Sequence, residues 1–527
     1  HGGASVVASF QSTATVSASR RQDGGRALER RHDGGPPMSD FPSTVVDDDG
    51  NVHHLLKQPL GRGGQGVVLR TRSPHIAVKL IGAVEDAPAA PEARSAQKLW
   101  GQLTKAPGIA LSPDAQRHSA LRRRLEDVRA LPLPRLHLAQ PLSMLRDHVG
   151  YTMRLLTGMV PMRTLIAEPG TSKLGEFYQS SGGLGRRLDL LANTAGLLAR
   201  LHAVPLVYAD VSPNNVFISE TAEASEVWLI DLDNLDYLSA NAPGIFTPGF
   251  GAPEVVTGRA GVSTLSDSYS FAVLAFWVLT QQHPFLGDYV EEGGWDDDGD
   301  EDREQLAFRG ELPWIEDTAD DSNRTNKGIA RHLVLSKPIR ELFQRTFEAG
   351  RKDRVARPSM AEWTEALRRA ADRVVSCRSC GSSFDVTAGS CQFCTASPRA
   401  SFIHMQVNRW DPELDDAAGA SAVSTRAVWH KMLDVTKDSV VLRHVIEPVL
   451  ADAEDAPVLR VRVLKSGIAI EALANHEVHV VLGGRMQRLG AELKLPLPKA
   501  GNEAFLHFGP LDRPHRMAVL RLYSEGT

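Results

Sequence analysis

Two side chains within residues 208–218 have the types and spacing that phosphoryl transfer requires. Asp210 is followed five residues later by Asn215, and a short apolar segment comes directly after them. Transfer of a phosphoryl group needs an acceptor for the proton of the attacking hydroxyl and, close by, an oxygen ligand for the metal on the phosphates. An Asp and an Asn held by one tight loop can supply both. The alternative is an ordinary polar turn, because Asp, Ser, Pro and Asn also favour turns.

A second candidate feature is a glycine-rich segment after the apolar stretch at residues 52–60. Gly61, Gly63 and Gly66 form the pattern GxGxxG. A dinucleotide-binding fold would need a helix directly after the third glycine, whereas residues 67–71 have the composition of a β-strand. The pattern therefore predicts a strand–glycine turn–strand hairpin, in which backbone amides can approach phosphate oxygens that side chains would block. An ordinary glycine-rich hairpin is the alternative.

The next predicted strand, residues 76–81, contains a single lysine. Lys79 lies in an apolar run 13 residues after Gly66, and lysine is rarely buried without a partner. This strand resembles the Val-Ala-Ile-Lys strand of the eukaryotic-like protein kinases, whose lysine binds the α- and β-phosphates of ATP. The resemblance extends over residues 52–372 and implies a bilobal α+β protein-kinase fold, with an N-lobe at about 52–156 and a C-lobe at about 157–372.

The resemblance implies a set of residues that bind ATP in the N-lobe. Met153 takes the place of the gatekeeper in the strand that leads to the hinge. The implied nucleotide-binding residues are Gly61, Gly63, Gly66, Val68, Ala77, Lys79, Met153 and Leu155.

In this family the lysine pairs with a glutamate on a helix, and two glutamates are candidates. Glu92 lies 13 residues after Lys79, and Glu126 lies 12 residues before the predicted strand at 138–145. Glu126 is favoured because its spacing suits a helix that leads into that strand. Residues 86–117 would then be an insertion.

The resemblance also implies roles for the residues of the C-lobe. Asp210 would be the catalytic base or orienting carboxylate, and Asn215 a ligand of Mg²⁺ or Mn²⁺. Asp231 follows a short apolar strand in place of the first residue of Asp-Phe-Gly and would be the second metal ligand. The predicted catalytic set is therefore Asp210, Lys79, Asn215, Asp231 and Glu126.

Three of the family's motifs differ in this sequence. The family's His-Arg-Asp is Tyr208-Ala209-Asp210 here, so activation is not expected to depend on a phosphate–arginine pair. Ser212 replaces the family's lysine that contacts the γ-phosphate, which bears on the catalytic rate. Asp233 replaces the hinge-like glycine after the metal-binding Asp and should restrict its reorientation.

Residues 247–254 are similar to the end of a kinase activation segment. Thr247 resembles the position that lines the serine/threonine acceptor site, and Glu254 is expected to pair with Arg357. Residues 208–218 resemble the catalytic loop of the family. Asp267, near the start of a predicted buried helix, would brace the backbone of this loop. This second half is unusual in small-molecule kinases, so the resemblance favours a protein kinase.

The four cysteines predict a metal site. Cys377, Cys380, Cys391 and Cys394 form the pattern CxxC-x10-CxxC, which offers four thiolates to a tetrahedral Zn²⁺. A redox pair or disulfides are the alternatives. Since every ligand would be a cysteine, the zinc would be structural, and it would supply folding energy that so small a loop cannot obtain from a core. The segment 373–400 resembles a zinc ribbon.

The remaining segments complete the predicted domain organisation. Residues 1–51 lack apolar periodicity and are predicted to be a disordered tail, with Met38 as a natural start. Residues 401–527 contain alternating apolar segments and the Gly483-Gly484 hairpin signal, which predict an all-β sandwich or barrel. Without a catalytic cluster in it, a binding module is the default interpretation.

Length and composition set the general class. The chain has 527 residues, 42% of them hydrophobic and 23% charged, with a formal net charge of −5. These values are typical of a soluble multidomain protein and give no reason to expect nucleic acid as the main partner. The absence of any long apolar run argues against a membrane span, and the clustered cysteines favour metal binding over disulfides. A cytoplasmic location is expected.

The resemblance as a whole predicts a bacterial-type serine/threonine protein kinase in signalling. It would use Mg·ATP, act on protein substrates and on itself, and require a structural zinc. Family knowledge further suggests a von Willebrand A-type or phosphatase partner. One alternative is a pseudokinase scaffold that binds ATP and presents the zinc ribbon and β domain, favoured by Ser212 and Asp233. A small-molecule kinase is the other.

Overall fold

The structure is a computed structural model, and it describes residues 41–63, 66–81, 113–133, 136–239, 242, 244–292, 302–396, 402–415, 427–447, 455–473, 476–483, 485–498 and 503–522. The chain divides into two compact units. The first contains residues up to 132 together with 138–157, and the second contains residues 133–137 together with 158–527.

The first unit is an antiparallel sheet of six strands with one described helix. The sheet order is β1-β2-β3-β4-β6-β5. The elements are β1 (Thr44–Val46), β2 (Val52–Gly63), β3 (Gly66–Thr71), β4 (Ile76–Ile81), α1 (Pro113–Ala130), β5 (Pro141–Met144) and β6 (Gly150–Arg154). The glycine pattern is therefore the turn of a β2–β3 hairpin, as predicted, and no helix follows it.

The sheet begins earlier in the chain than the sequence predicted. Strand β1 pairs with β2 so that Val46 lies opposite Val52, and Val45 packs in the core beside Val67 and Val78. The predicted boundary of the disordered tail at residue 51 is therefore wrong, because a short strand within it is held by the sheet. Residues 1–40, including Met38, lie outside the described part of the chain.

The second unit begins with a mainly helical half. Its elements are β7 (Met159–Pro161), α2 (Leu174–Ser180), α3 (Gly183–Ala203), β8 (Leu206–Val207), β9 (Val216–Ser219), β10 (Val227–Leu229), β11 (Asp236–Tyr237), α4 (Pro253–Val256), α5 (Thr264–Thr280), α6 (Asp288–Glu291), α7 (Arg303–Phe308), α8 (Arg331–Val334), α9 (Lys337–Gln344), α10 (Gly350–Lys352) and α11 (Met360–Ala371). Shorter turns of 3₁₀ helix lie at Met162–Leu165, Leu232–Asn234 and Arg354–Ala356, and a π-helical turn lies at Arg345–Ala349.

The two long helices of this half have local reasons to form. Helix α3 buries apolar side chains with helical spacing, so one face packs into the core. Helix α5 is buried on nearly all sides and begins with a capping box between Ser263 and Ser266. A second capping box, between Ser359 and Glu362, starts α11. These helices form the frame that carries the loops described below.

The rest of the second unit is rich in strands. A two-stranded sheet is formed by β12 (Val374–Ser376) and β13 (Ser383–Asp385), followed by a 3₁₀ turn at Val386–Ala388. The later elements are β14 (Phe402–Trp410), β15 (Ala427–Asp434), β16 (Ser439–Leu442), α12 (Arg443–Ile446), β17 (Pro457–Leu464), β18 (Gly467–Ala472), β19 (His479–Leu482), β20 (Arg485–Arg488), β21 (Leu493–Pro496), β22 (Ala504–His507) and β23 (His515–Leu522).

These later strands form a two-sheet sandwich. One sheet has the order β15-β14-β23-β22-β19-β20 and the other has the order β16-β17-β18-β21. Alternate residues of both sheets, such as Met405, Leu506, Val461 and Ile470, share one buried core. The region is rich in β-strands, as predicted, although the short helix α12 lies among them. Gly483 lies in the turn between the paired strands β19 and β20, as the hairpin signal predicted. Among the described residues, no helix combines the length and apolar composition that crossing a bilayer requires.

Candidate active site

One face of the first sheet carries four of the eight residues predicted to bind the nucleotide. Val68 lies directly opposite Lys79, and Ala77 lies opposite Met153. Residues opposite each other in antiparallel strands point to the same side, so these four share a face. The other face packs the hydrophobic core around Val78. Lys79 is only 6% exposed, as its place in an apolar run predicted.

The third glycine of the pattern is required by close packing. A Cβ atom on Gly66 would lie 2.1 Å from the backbone oxygen of Leu80. Any other residue would therefore push β3 away from β4. Gly63 lies opposite Gly66 at the turn, and Gly61 lies opposite Val68. The three glycines therefore leave the hairpin without side chains at the positions where the resemblance places the phosphates of ATP.

The glutamate predicted to pair with Lys79 lies on helix α1. The helix packs through Leu125 against Tyr151 of the sheet, and Tyr151 lies opposite Lys79. In this structure the Glu126 carboxylate accepts a hydrogen bond from Arg122 Nε at 3.1 Å and is about half exposed. Its pairing with Lys79 stays a prediction, and Glu92 lies outside the described residues.

Asp210 and Asn215 contact each other directly in the second unit. Asn215 Nδ2 donates to Asp210 Oδ2 at 2.8 Å and to the Asp210 carbonyl at 3.1 Å. Because the amide nitrogen faces Asp210, the amide oxygen of Asn215 faces away and is the atom that could bind a metal ion. Thr247 Oγ1 donates to Asp210 Oδ1 at 2.5 Å. Both carboxylate oxygens of Asp210 are therefore held by hydrogen bonds.

The surroundings of Asp210 make it a stronger base than an ordinary aspartate. Burial raises its pKa above 3.8, hydrogen bonds from Thr247 and Asn215 oppose this, and the negative charge of Asp231 raises it further. A carboxylate with a raised pKa accepts a proton more readily, which suits general-base chemistry.

The backbone of the catalytic loop is held by a single buried carboxylate. Asp267 of α5 accepts hydrogen bonds from the backbone N–H groups of Tyr208 at 2.8 Å and Ala209 at 2.9 Å. Ala209 has a φ of 73°, a left-handed conformation that costs about 1–3 kcal/mol and persists only where its surroundings enforce it. The predicted bracing role of Asp267 is confirmed.

Two side chains near Asp267 have roles that the sequence did not reveal. The His202 ring lies 3.0 Å from Asp267 Oδ2 through Nε2. The Tyr208 hydroxyl donates to the carbonyl of Ile230, directly before Asp231. It therefore ties the catalytic loop to the strand that delivers the predicted metal ligand. A tyrosine at the family's histidine position was the available signal.

Asp231 lies at the end of β10 in a constrained conformation. Its φ and ψ are 56° and 57°, again in the left-handed region. The preceding residue is fixed from both sides, because Ile230 N donates to the carbonyl of Asn215 at 3.0 Å and its own carbonyl accepts from Tyr208. Asp210, Asn215 and Asp231 are thus brought together by one hydrogen-bonded loop and strand.

The departures from the family pattern are internal to the fold. Ser212 is 1% exposed and Asp233 is 5% exposed. Ser212 forms part of the turn in which Asn215 N donates to its carbonyl, and Asp233 lies in a 3₁₀ turn after Asp231. A buried serine cannot present the positive charge that a lysine would.

The end of the predicted activation segment is fixed by a bidentate ion pair. Arg357 Nη1 and Nη2 lie 2.8 Å and 2.7 Å from the two carboxylate oxygens of Glu254. The guanidinium also donates to the carbonyl groups of Gly350 and Leu265, and it lies over the ring of Tyr269. The predicted pairing of Glu254 with Arg357 is confirmed.

We expect the Arg357→Met substitution to lower the free energy of unfolding by about 3–5 kcal/mol, because it leaves the Glu254 carboxylate in the interior without its partner. Denaturant unfolding of both proteins measures this. The matched control is Arg345→Met, which breaks an equally short Arg345–Glu362 pair whose side chains are both 46% exposed. That loss should cost no more than about 1 kcal/mol. Equal losses in both variants would contradict the prediction.

The four cysteines converge on one point. Their Sγ atoms all lie within 4.8 Å of one another, with Cys377–Cys394 at 3.4 Å and Cys380–Cys391 at 3.6 Å. Thiolates bound to one tetrahedral Zn²⁺ would be roughly 3.8 Å apart, so the four residues fit that ion. Hydrogen bonds with Ser382 lower the pKa of the Cys380 thiol, which favours the thiolate.

The two cysteine pairs lie on matching turns. Gly381 N donates to the carbonyl of Cys377, and Thr395 N donates to the carbonyl of Cys391, at 2.8 and 2.7 Å. Gly381 and Thr395 both have positive φ, at 75° and 61°. Each turn therefore presents two thiols on one side.

Part of the chain is similar to known protein kinases. A family model described as a protein kinase domain matches residues 186–367. The chain is 37% identical over 111 residues to the serine/threonine-protein kinase pkn2 of Myxococcus xanthus, which covers 20% of this chain and 13% of that protein. It is 30% identical over 136 residues to PknA of Mycobacterium tuberculosis strain H37Rv, covering 25% and 30%.

A longer match extends over more of the chain. The serine/threonine-protein kinase PkaA of Streptomyces coelicolor is 27% identical over 243 residues, which is 44% of this chain and 40% of that protein. The chain therefore spans less than half the length of each of these relatives.

Proposed function

We propose that this chain, which contains a protein kinase domain of the eukaryotic-like bacterial serine/threonine class, transfers the γ-phosphate of Mg·ATP to serine or threonine hydroxyls of proteins, itself included. The observation that carries the proposal is the bond from the Thr247 hydroxyl to Asp210. It places an alcohol group of the acceptor type on the carboxylate that would take its proton. The raised pKa of Asp210 supports the same role.

The proposed mechanism assigns one task to each residue. Asp210 orients the acceptor hydroxyl and accepts its proton as the oxygen attacks the γ-phosphorus. The Asn215 amide oxygen and the Asp231 carboxylate would hold Mg²⁺ or Mn²⁺, which neutralises charge on the phosphates when bound. Lys79 and the hairpin amides of the first unit would bind phosphate oxygens, and Glu126 would orient Lys79. A structural Zn²⁺ on the four cysteines completes the proposed ligands.

A second candidate function is an ATP-binding scaffold without transfer. Ser212 and Asp233 favour it, because a buried serine leaves the γ-phosphate without the family's lysine and a buried aspartate adds negative charge near Asp231. Against it, the chain retains Lys79, Asp210 and Asn215, which a scaffold has no chemical need to keep together. The von Willebrand A-type or phosphatase partner stays a prediction.

The test is transfer of labelled γ-phosphate from Mg·ATP to the chain itself and to a basic acceptor protein. We expect acid-stable label on serine or threonine with the wild-type protein, loss of the label with EDTA, and loss in the Asp231→Asn variant. The control is Glu220→Gln, which removes an exposed carboxylate after β9 and should label like the wild type. ATP binding without transfer in the wild type would reject the kinase proposal in favour of the scaffold.

A further inference from the structure

The last helix of the kinase domain ends at a carboxylate that is bound by the C-terminal sandwich. Asp372 follows α11 and is 7% exposed. Its carboxylate accepts from Trp429 Nε1 at 2.7 Å and Lys431 Nζ at 2.5 Å, both on β15, and it lies 2.9 Å from His444 Nε2. Its backbone carbonyl also accepts from Met432 N at 2.8 Å. Every one of these partners belongs to the sandwich.

The contact continues through both nitrogens of His444. Nδ1 lies 2.6 Å from Asp455 Oδ2, while the His444 backbone N–H donates to Asp455 Oδ1 at 3.0 Å. Since ionised carboxylates can only accept hydrogen bonds, His444 satisfies Asp372 and Asp455 together only as the doubly protonated imidazolium. Asp455 then returns the contact to the kinase domain, because Arg368 Nε of α11 lies 3.2 Å from its Oδ2.

From α11 the contacts lead to the strand that carries Asp231. Arg368 Nη2 donates to Asn193 Oδ1 of α3 at 2.5 Å. Asn193 Nδ2 donates in turn to the backbone carbonyl of Ser225 at 2.6 Å. Ser225 stands two residues before β10, and Asp231 stands two residues after it. An unbroken series of polar contacts therefore runs from the sandwich to the segment that delivers the proposed metal ligand.

The zinc-ribbon segment makes a second contact with the same helix. Ser383 Oγ of β13 accepts a hydrogen bond from Leu184 N in the first turn of α3, at 2.7 Å. This satisfies one of the N–H groups that a helix start leaves without an internal partner. Only the short strand β8 separates the end of α3, at Ala203, from the catalytic loop. Both C-terminal regions thus hold helices that position the site.

We propose that the C-terminal sandwich is a fixed brace of the kinase domain, and that Asp372, His444, Asp455, Arg368 and Asn193 are positioning residues for β10 and for Asp231, which follows it by two residues. The inference rests on the proposed function only for the role of Asp231, since the contacts stand without it. Most surface ion pairs contribute little, but removal of one partner from a buried pair leaves an uncompensated charge and is strongly destabilising.

Electrostatics support this network across a defined range of pH. Burial alone would lower the pKa of His444, but its bonds to Asp372 and Asp455 raise it above 6.5. Burial would raise the pKa of Asp372, but Lys431 and His444 lower it below 3.8. The charged groups that face His444 are Asp372 and Arg368 of α11, Asp189 of α3, Lys431 of β15 and Asp455, and Arg516 of β23 donates to its carbonyl.

The direction of each pKa shift determines the pH range in which the contacts of His444 and Asp372 stabilise the fold. A raised pKa means that the stabilisation from His444 is complete below about pH 6.5 and is lost as the pH rises through the folded-state value. A lowered pKa means that the stabilisation from Asp372 is present above its unfolded value and is lost as the pH falls through the folded one. The stabilisation from these contacts is therefore expected to be greatest in mildly acidic solution.

The experiment is hydrogen exchange of the full chain, read at the backbone amides of 227–231. We expect Asp372→Asn and His444→Gln each to speed exchange there by about tenfold or more, since local opening reports the lost stabilisation. The double variant should exchange no faster than the faster single variant, because both break one network. Arg460→Gln is the control; it removes an exposed ion pair with Glu471 on the sandwich and should change nothing.

Two further measurements keep the inference falsifiable. Asn193→Ala cuts only the last link, so exchange at 227–231 should rise while residues 457–472 exchange as in the wild type, even if Asp372→Asn fails to fold. The Mg²⁺ concentration needed for half-maximal nucleotide binding should also rise in His444→Gln, and in the wild type as the pH rises through the raised pKa of His444. Faster exchange in the sandwich with unchanged exchange at 227–231 would overturn the inference, whether or not the chain transfers phosphate.

Discussion

The Asp210→Asn substitution is expected to reduce phosphoryl transfer by about 10²–10⁴-fold, the usual contribution of a positioned general base. Asparagine has the same shape and keeps one oxygen that can accept the hydrogen bond from Thr247. The side-chain bond from Asn215 is lost, but Asn215 Nδ2 keeps its hydrogen bond to the backbone carbonyl of residue 210. Asparagine cannot accept the proton of the attacking hydroxyl. Mg·ATP affinity should change little, because the predicted metal ligands Asn215 and Asp231 remain. Single-turnover transfer and equilibrium nucleotide binding, measured on the same preparations, separate the two effects.

The pH dependence of the wild type provides an independent check on Asp210. The base must be ionised, and its pKa is raised above 3.8. Transfer should therefore decline as the pH falls through this raised value, and the residual activity of Asp210→Asn should lack that decline. An unchanged rate in the variant would remove Asp210 from the mechanism. Weakened nucleotide binding with an unchanged transfer step would assign it to the metal site.

Removal of zinc is expected to unfold residues 377–394. Structural zinc supplies roughly 10–16 kcal/mol of apparent binding energy in small metal domains, and the buried cluster around Cys377, Phe384 and Cys391 is small. Chelation, or the Cys391→Ser substitution, should abolish the metal content measured by atomic emission and should speed hydrogen exchange across these residues. The first turn of α3 should exchange faster as well, because Leu184 loses its acceptor Ser383.

The matched control for the cysteine variant is Ser379→Ala. Ser379 lies between Cys377 and Cys380 on an exposed part of the same turn, so the four thiols remain intact. One zinc per chain and wild-type exchange are expected. Full metal content in Cys391→Ser, or a disulfide in the wild-type protein, would refute the four-thiolate site.

The parts of the fold that sequence predicted well are those with a local pattern. The glycine hairpin and the strand of Lys79 each follow from spacing within one short segment. The Glu254–Arg357 pair connects distant segments, and it was predictable only because the family resemblance gives both positions. The paired cysteines were predictable because metal ligands impose fixed spacing.

What sequence did not predict depends on long-range contacts. Strand β1 has only three residues, and its register is set by pairing with β2. The contact between His202 and Asp267 joins residues that lie 65 positions apart in the chain. The contacts around Asp372 join four separate segments, which are the end of α11, β15, α12 and the segment that contains Asp455. Within each segment, the sequence gives no sign that its charged side chain is buried. The periodicity of one segment cannot predict a contact between side chains of several distant segments.

The position of Asp372 has a practical consequence for anyone cutting this protein into pieces. The matched family model ends at residue 367, within α11, and the family resemblance ends at residue 372. A cut directly after Asp372 would separate this aspartate from its partners Trp429, Lys431 and His444. A fragment truncated there would leave Arg368 and Asp372 without their counter-charges. Poor yield or low activity of such a fragment would then reflect the cut and not the enzyme. Fragments designed for crystallisation or inhibitor screening should keep residues through 522.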